Sequence, residues 1–161
     1  MNSIYLVLSL AASFKWEVHQ MDVKSAFLHG DLHEEIYMEQ PPVFIQNDYS
    51  LVCHLRKSLY GLKQAPWAWY EKMGRFLLDN CFFRCHSNNN VYTKKVGKSF
   101  TILVIYVDDL ILTGSVTNHI NHVKSSLKKK FEMTDLGNLN YFLGLQVLQS
   151  KEGIKIGRAH V

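Results

Sequence analysis

The stretch that decides the fold is Phe100-Thr101-Ile102-Leu103-Val104-Ile105-Tyr106-Val107-Asp108-Asp109-Leu110-Ile111-Leu112-Thr113. An apolar, β-branched run leads into two adjacent carboxylates and resumes at once, so charge stands where burial should forbid it. Successive side chains of a strand point to opposite faces, and neighbouring aspartates can share one site only where the chain turns sharply. The pattern predicts a hairpin of two apolar strands with Asp108 and Asp109 forming the turn between them.

Outward from that hairpin, residues 91–95 read as a strand that precedes it across a turn at 96–99. Residues 118–131 read as a basic helix, 135–138 as a turn, 141–149 as a strand, and 151–153 as the turn of a final hairpin. Toward the start, residues 3–14 fit an apolar helix, and alternation around Trp16, Val18 and Gln20 fits a strand ending near Asp22. Residues 24–31 look turn-like, 35–39 and 52–56 strand-like, and 43–50 and 58–64 loop-like. A helix opens at Pro66, and its Trp69, Met73, Phe76 and Leu77 recur at core spacing. The expected fold class is α+β, with one largely antiparallel sheet flanked by helices.

With 161 residues, 47% hydrophobic and 12% aromatic, the composition is that of a globular chain able to bury a core of its own. Eighteen Lys and Arg against fourteen Asp and Glu leave a formal charge of +4, mildly favourable to a polyanion. Lys94, Lys95 and Lys98 with Lys124, Lys128, Lys129 and Lys130 could form a phosphate-tracking rim or simply a solvated helix face. Three cysteines are too few and too odd for a secreted disulfide framework, and Cys81, Cys85 and His86 lack a second pair of ligands at zinc-finger spacing. The apolar start is too short to span a bilayer and has no positive charge ahead of it as a signal peptide would.

Adjacent carboxylates repel each other, which is costly unless a multivalent cation lies between them. Asp22, at the end of another expected strand, can join the pair if both strands are central in one sheet. Hard oxygen ligands too few to complete an octahedron suit Mg²⁺, with substrate phosphates and water filling the remaining positions. Two such ions can activate an attacking oxygen and stabilise a leaving one.

Four ordered segments carry a resemblance: residues 20–32 (QMDVKSAFLHGDL), 59–66 (LYGLKQAP), 106–109 (YVDD) and 136–144 (LGNLNYFLG). Together they resemble the reverse transcriptase of copia-type LTR retrotransposons, over roughly residues 4–150. The resemblance implies a polymerase palm with a ferredoxin-like core, residues 1–155, with fingers and thumb incomplete. It implies RNA-directed DNA polymerase activity by two-metal nucleotidyl transfer, with Asp22, Asp108, Asp109 and the Val23 carbonyl holding two Mg²⁺, or Mn²⁺. Phe27 would crowd the 2′ position of the incoming deoxynucleoside triphosphate. Tyr60, Gly61, Lys63 and Gln64 would lie against the nascent pair and the RNA or DNA template. Tyr106 would sit beside the primer end, and Phe142, Leu143 and Gly144 would grip the primer strand. The other implied partner is the rest of a Pol polyprotein, with no membrane and an intracellular setting, a cytoplasmic virus-like particle with nuclear access.

The family commonly has arginine where this chain has Trp67, and often glycine where it has Cys81 at a helix end, a place for a left-handed residue. Residues 156–161 do not resemble the family and can be encoded by a string that reads like a sequencing adapter, so they are expected to be a non-native tail. Two alternatives stay open: a catalytically dead retrotransposon remnant, and a non-enzymatic nucleic-acid-binding module of ferredoxin-like topology.

Overall fold

The computed structural model describes residues 2–45 and 50–158. In chain order the elements are α1 (Asn2–Phe14), β1 (Val18–Val23), a 3-10 turn (Ala26–His29), β2 (Asp31–Glu39), a second 3-10 turn (Pro42–Phe44), β3 (Val52–Lys57), α2 (Ala65–Asp79), β4 (Phe83–Cys85), β5 (Asn88–Val96), β6 (Ser99–Tyr106), β7 (Asp109–Gly114), α3 (Thr117–Lys130), β8 (Met133–Asn138), β9 (Tyr141–Phe142), β10 (Leu145–Ser150) and β11 (Gly153–Arg158). They divide into two compact units, one built from the chain up to Lys24 and from Leu77 onward, the other Ser25–Phe76.

The larger unit is organised by a six-stranded antiparallel sheet of order β4-β5-β6-β7-β1-β8. Its centre is the apolar hairpin of the sequence: Thr101 pairs with Gly114 at one end and Tyr106 with Asp109 at the other. Ile4, Val7, Leu8 and Ala11, at helical spacing on α1, share one buried cluster with Val18, Ile102, Val104, Ile111, Leu139, Phe142 and Val147. The alternate strand positions Met21, Leu103, Ile105, Leu110 and Leu112 are fully buried as well. Each such side chain contributes roughly 1.5–3 kcal/mol, which holds the hairpin at the centre of the sheet. Packing of α3 against β6, β7 and β8 depends on Gly114, where a Cβ would lie 2.4 Å from the Phe100 carbonyl oxygen and 3.2 Å from Ile120 Cδ1.

β9, β10 and β11 form a separate three-stranded sheet. The expected strand over 141–149 is broken in two, because Leu143 and Gly144 form a two-residue turn with φ of 50° and 77°, both positive as a type I′ hairpin requires. Residues 135–138, expected as a turn, belong to β8. Asp, Gly and Asn favour turns, but here they sit on a bulged edge strand: the register against β1 shifts between Gln20 and Met21, and Gly137 takes φ 73°. The short strand β4 escaped the sequence reading. Ile156, Gly157 and Arg158, expected as part of a foreign tail, pair with Val147, Gln146 and Leu145, and the remainder of that tail lies outside the described residues.

The smaller unit holds the hairpin of β2 and β3 and most of α2, where Trp69 and Met73 of the expected core stripe are fully buried. It closes on Gly30, whose absent Cβ would stand 2.7 Å from Ser58 Oγ and 2.9 Å from Ala68 Cβ. The expected loop at 43–50 begins with the Pro42–Phe44 turn, and residues 46–49 lie outside the described ones. Among the described residues, no helix is long and apolar enough to cross a membrane.

Candidate active site

Asp22 and Asp109 are direct partners in the antiparallel pairing of β1 with β7. Paired residues of such a ladder project to the same face, so the two carboxylates face the same side of the sheet at the end of its central strands. The turn is made by Val107 and Asp108, with Asp109 opening β7, so the expectation that both aspartates form the turn is corrected by one residue. The physical reason is the ladder itself: Tyr106 still pairs with Asp109, leaving two residues to reverse the chain. Val107 takes φ 55°, rare for a β-branched residue and a local strain of about 1–3 kcal/mol. The Val23 N–H donates to the Asp108 carbonyl at 2.8 Å, which ties this strained turn to the end of β1.

Burial is the largest influence on Asp109, pushing its carboxyl above the ordinary carboxylate range. The Gln20 amide, donating to Asp109 Oδ1 at 2.9 Å, works against that rise, and the charges of Asp22 and Asp108 add to it. Gln20 was not singled out by the sequence reading, although its place two residues before Asp22 puts it on the same strand face, the one signal that could have found it. As the side chains stand, no three His, Cys, Asp or Glu groups among the described residues form a ready-made metal cage. What the backbone assembles is an open set of hard oxygen donors, the kind that suits Mg²⁺ when substrate phosphates complete the coordination.

Two more expected residues meet at this corner. Tyr106, on the same face as its partner Asp109, touches Phe142 edge-on, with ring centroids 5.8 Å apart and planes at 77°. Phe142 is buried in the main cluster, Leu143 packs against that cluster partly buried, and Gly144 completes the turn.

Phe27, Tyr60, Gly61, Lys63 and Gln64 belong to the smaller unit. There the Phe27 and Tyr60 rings pack at 4.6 Å between centroids, and the Ser58 hydroxyl donates to the Phe27 carbonyl. Gln64 donates to Glu34 at 2.7 Å and Lys63 is exposed. Gly61 is required by its φ of 97° rather than by crowding within the chain, since a Cβ there would meet nothing within 4 Å.

The expected basic rim is partly structural. Lys124 is buried, its Nζ 3.0 and 3.1 Å from the two Asp135 carboxylate oxygens and 3.2 Å from His19 Nδ1. Burial, then the Lys124 charge, pulls the His19 imidazole below its ordinary range. Lys94 donates to the Asn80 carbonyl at 2.8 Å and lies over the Phe82 ring, while Lys95, Lys98, Lys128, Lys129 and Lys130 are exposed.

This sheet and its carboxylate corner are found in a chain that matches, over residues 1–161, the family described as "Reverse transcriptase (RNA-dependent DNA polymerase)", and the chain belongs to that family. Among its relatives are Pol polyproteins of plant copia-type transposons, as the motifs implied. It is 46% identical over 158 residues to "Retrovirus-related Pol polyprotein from transposon TNT 1-94" of Nicotiana tabacum, covering 97% of this chain and 12% of that protein. It is 38% identical over 158 residues to the corresponding polyprotein from transposon RE2 of Arabidopsis thaliana, covering 98% of this chain and 11% of that protein. It is 36% identical over 134 residues to "Putative transposon Ty5-1 protein YCL074W" of Saccharomyces cerevisiae, covering 83% of this chain and 44% of that protein. The chain thus spans a small part of the plant polyproteins it matches.

Proposed function

We propose that this chain is the palm-bearing part of an RNA-directed DNA polymerase that works within a Pol polyprotein, joining deoxynucleoside triphosphates to a primer 3′ hydroxyl on an RNA or DNA template. The observation that carries this reading is the cross-strand pairing of Asp22 with Asp109 on one sheet face, with Asp108 on the adjoining turn. An antiparallel sheet with carboxylates on its central strands and helices packed against it supports a palm with a ferredoxin-like core.

Asp22, Asp108, Asp109 and the Val23 carbonyl are the residues that would hold Mg²⁺, or Mn²⁺, since they are hard donors at one corner and carry a repulsion that a cation relieves. When bound, a pair of such ions lowers the pKa of the primer hydroxyl and neutralises the triphosphate. The chain's own groups then position the reactants. Tyr106, backed by Phe142, offers a partly exposed ring to the primer end, and the turn at Leu143 and Gly144 holds the primer strand. Phe27, held against Tyr60, restricts the sugar 2′ position, while Gly61, Lys63 and Gln64 lie against template and nascent pair. The domain is taken as residues 1–155 and residues 156–161 as a non-native tail, although the family match runs to residue 161 and Ile156, Gly157 and Arg158 pair within β11; rereading the source transcript tests this. The setting is intracellular, a cytoplasmic particle with nuclear access.

The test is primer extension on poly(rA)–oligo(dT) with Mg²⁺ and thymidine triphosphate, using the chain alone and joined to flanking polyprotein sequence. Incorporation above that of the Asp108→Asn variant is the expected result. Incorporation equal to that variant in both forms rejects the reading and leaves a catalytically dead remnant.

A further inference from the structure

Gln20 stands opposite Ile111 in the pairing of β1 with β7, two residues before Asp22 and on the same sheet face. Its amide nitrogen donates to Asp109 Oδ1 at 2.9 Å in a part-buried setting. Asp109 needs such a restraint. Asp22 faces it across the ladder and Asp108 precedes it, so an unrestrained carboxylate would rotate away from two like charges. One directed N–H fixes one carboxylate oxygen and leaves the other able to accept from a further partner.

The residue type matters as much as the place. A lysine here would neutralise the carboxylate that a cation needs, a glutamate would add another like charge, and a leucine would leave the oxygen undirected. An amide offers a donor without a charge.

We propose that Gln20 is a positioning residue whose amide orients the Asp109 carboxylate toward Asp22, so that the two can hold a divalent cation together. The inference rests on reading this corner as a metal-dependent site. It predicts that Gln20 matters to cation binding itself, before any substrate is present, because partners that orient metal-ligating groups change affinity by about 10- to 100-fold.

The experiment titrates Mn²⁺ into the full chain without nucleotide or primer, following free Mn²⁺ by electron paramagnetic resonance, with thermal unfolding measured alongside. The variants are Gln20→Met, Gln20→Leu, Asp22→Asn, Asp109→Asn and the double variant Gln20→Met with Asp109→Asn. Gln20→Met is expected to keep its unfolding midpoint and bind Mn²⁺ about 10-fold more weakly or worse. On the Asp109→Asn background the same change should alter affinity by less than about twofold, because its effect passes through Asp109. Equal affinity of Gln20→Met and the parent chain overturns the proposal, as does an equal loss on both backgrounds. Loss of folding in both Gln20→Met and Gln20→Leu also overturns it, since Gln20 is then a structural residue. A parent chain that binds no Mn²⁺ without nucleotide overturns the proposal as well, whereas an Asp22→Asn variant that binds it unchanged ends the metal-dependent reading itself.

Discussion

Tyr106, the last residue of β6, meets Phe142, the last residue of β9, edge to face across 5.8 Å. The contact joins two tight turns, one carrying Asp108 and the other Leu143 and Gly144. Phe142 is 4% exposed and Tyr106 41%, so one ring is anchored in the core and the other is presented at the surface. Phe142→Ala is expected to cost about 3–5 kcal/mol in urea unfolding. Phe142→Leu should cost less than the alanine change, yet lower primer extension because the ring that meets Tyr106 edge to face is gone. Extension at the parent rate in a folded Phe142→Leu variant would show that Tyr106 needs no such support.

Asp109 is held at a cost to stability. Its folded-state pKa is raised, chiefly by burial and further by Asp22 and Asp108, against the opposing Gln20 bond. A raised carboxyl contributes stability below its unfolded value, and that contribution is lost as pH rises through the folded value. At pH 7 without divalent cations, Asp109→Asn should therefore raise the thermal midpoint, while with Mg²⁺ present it should abolish extension. The advantage should disappear below about pH 4, where the unfolded carboxyl is protonated as well. Calorimetry at the two pH values checks this, and equal midpoints at pH 7 would contradict it.

In the smaller unit the sign is reversed. Hydrogen bonds from Lys57 and then Lys72 hold the Asp31 carboxyl down to about 2. The resulting stability is present above the unfolded value near 4 and is lost as pH falls through the folded value. Asp31 is partly exposed, so solvent screening keeps the effect below about 1 kcal/mol. Asp31→Asn should flatten the acid limb of the unfolding curve between these values, and salt should flatten it in the parent chain too. An unchanged acid limb in the variant would count against the pairing.

Helix α2 ends in a Schellman arrangement: the Cys81 N–H donates to the Leu78 carbonyl at 3.0 Å and the Phe82 N–H to the Leu77 carbonyl at 3.0 Å. Cys81 takes φ 62°, the left-handed conformation for which glycine is the unstrained choice. Cys81→Gly should stabilise the chain by about 1 kcal/mol, read as a higher urea midpoint at unchanged slope. A lower midpoint would mean that the thiol makes contacts worth more than the backbone strain.

Much of this was legible in local sequence. Periodicity placed the helices α1, α2 and α3 and the strands β1, β6 and β7, because burial of one face or stripe imposes a repeat that neighbours in the chain must share. The aspartates stood out because charge interrupted an apolar run, and the glycine-to-cysteine change at position 81 fell on a left-handed residue as its helix-end position implied. Residues 135–138 were misread for the same reason that the rest succeeded: their side chains have turn propensities, and only pairing with β1 turned them into a bulged edge strand.

What sequence alone determined, then, was the family, the hairpin and the identity of three acidic residues. Tertiary structure decided that β1 lies between β7 and β8, which puts Asp22 opposite Asp109 and brings Gln20 within a hydrogen bond of it. It also decided that Lys124 is a buried ion-pair partner and not part of a solvated rim. Those outcomes depend on contacts between residues far apart in the chain, whose energies no local pattern records, because strand order and register are settled by how the whole sheet buries its faces.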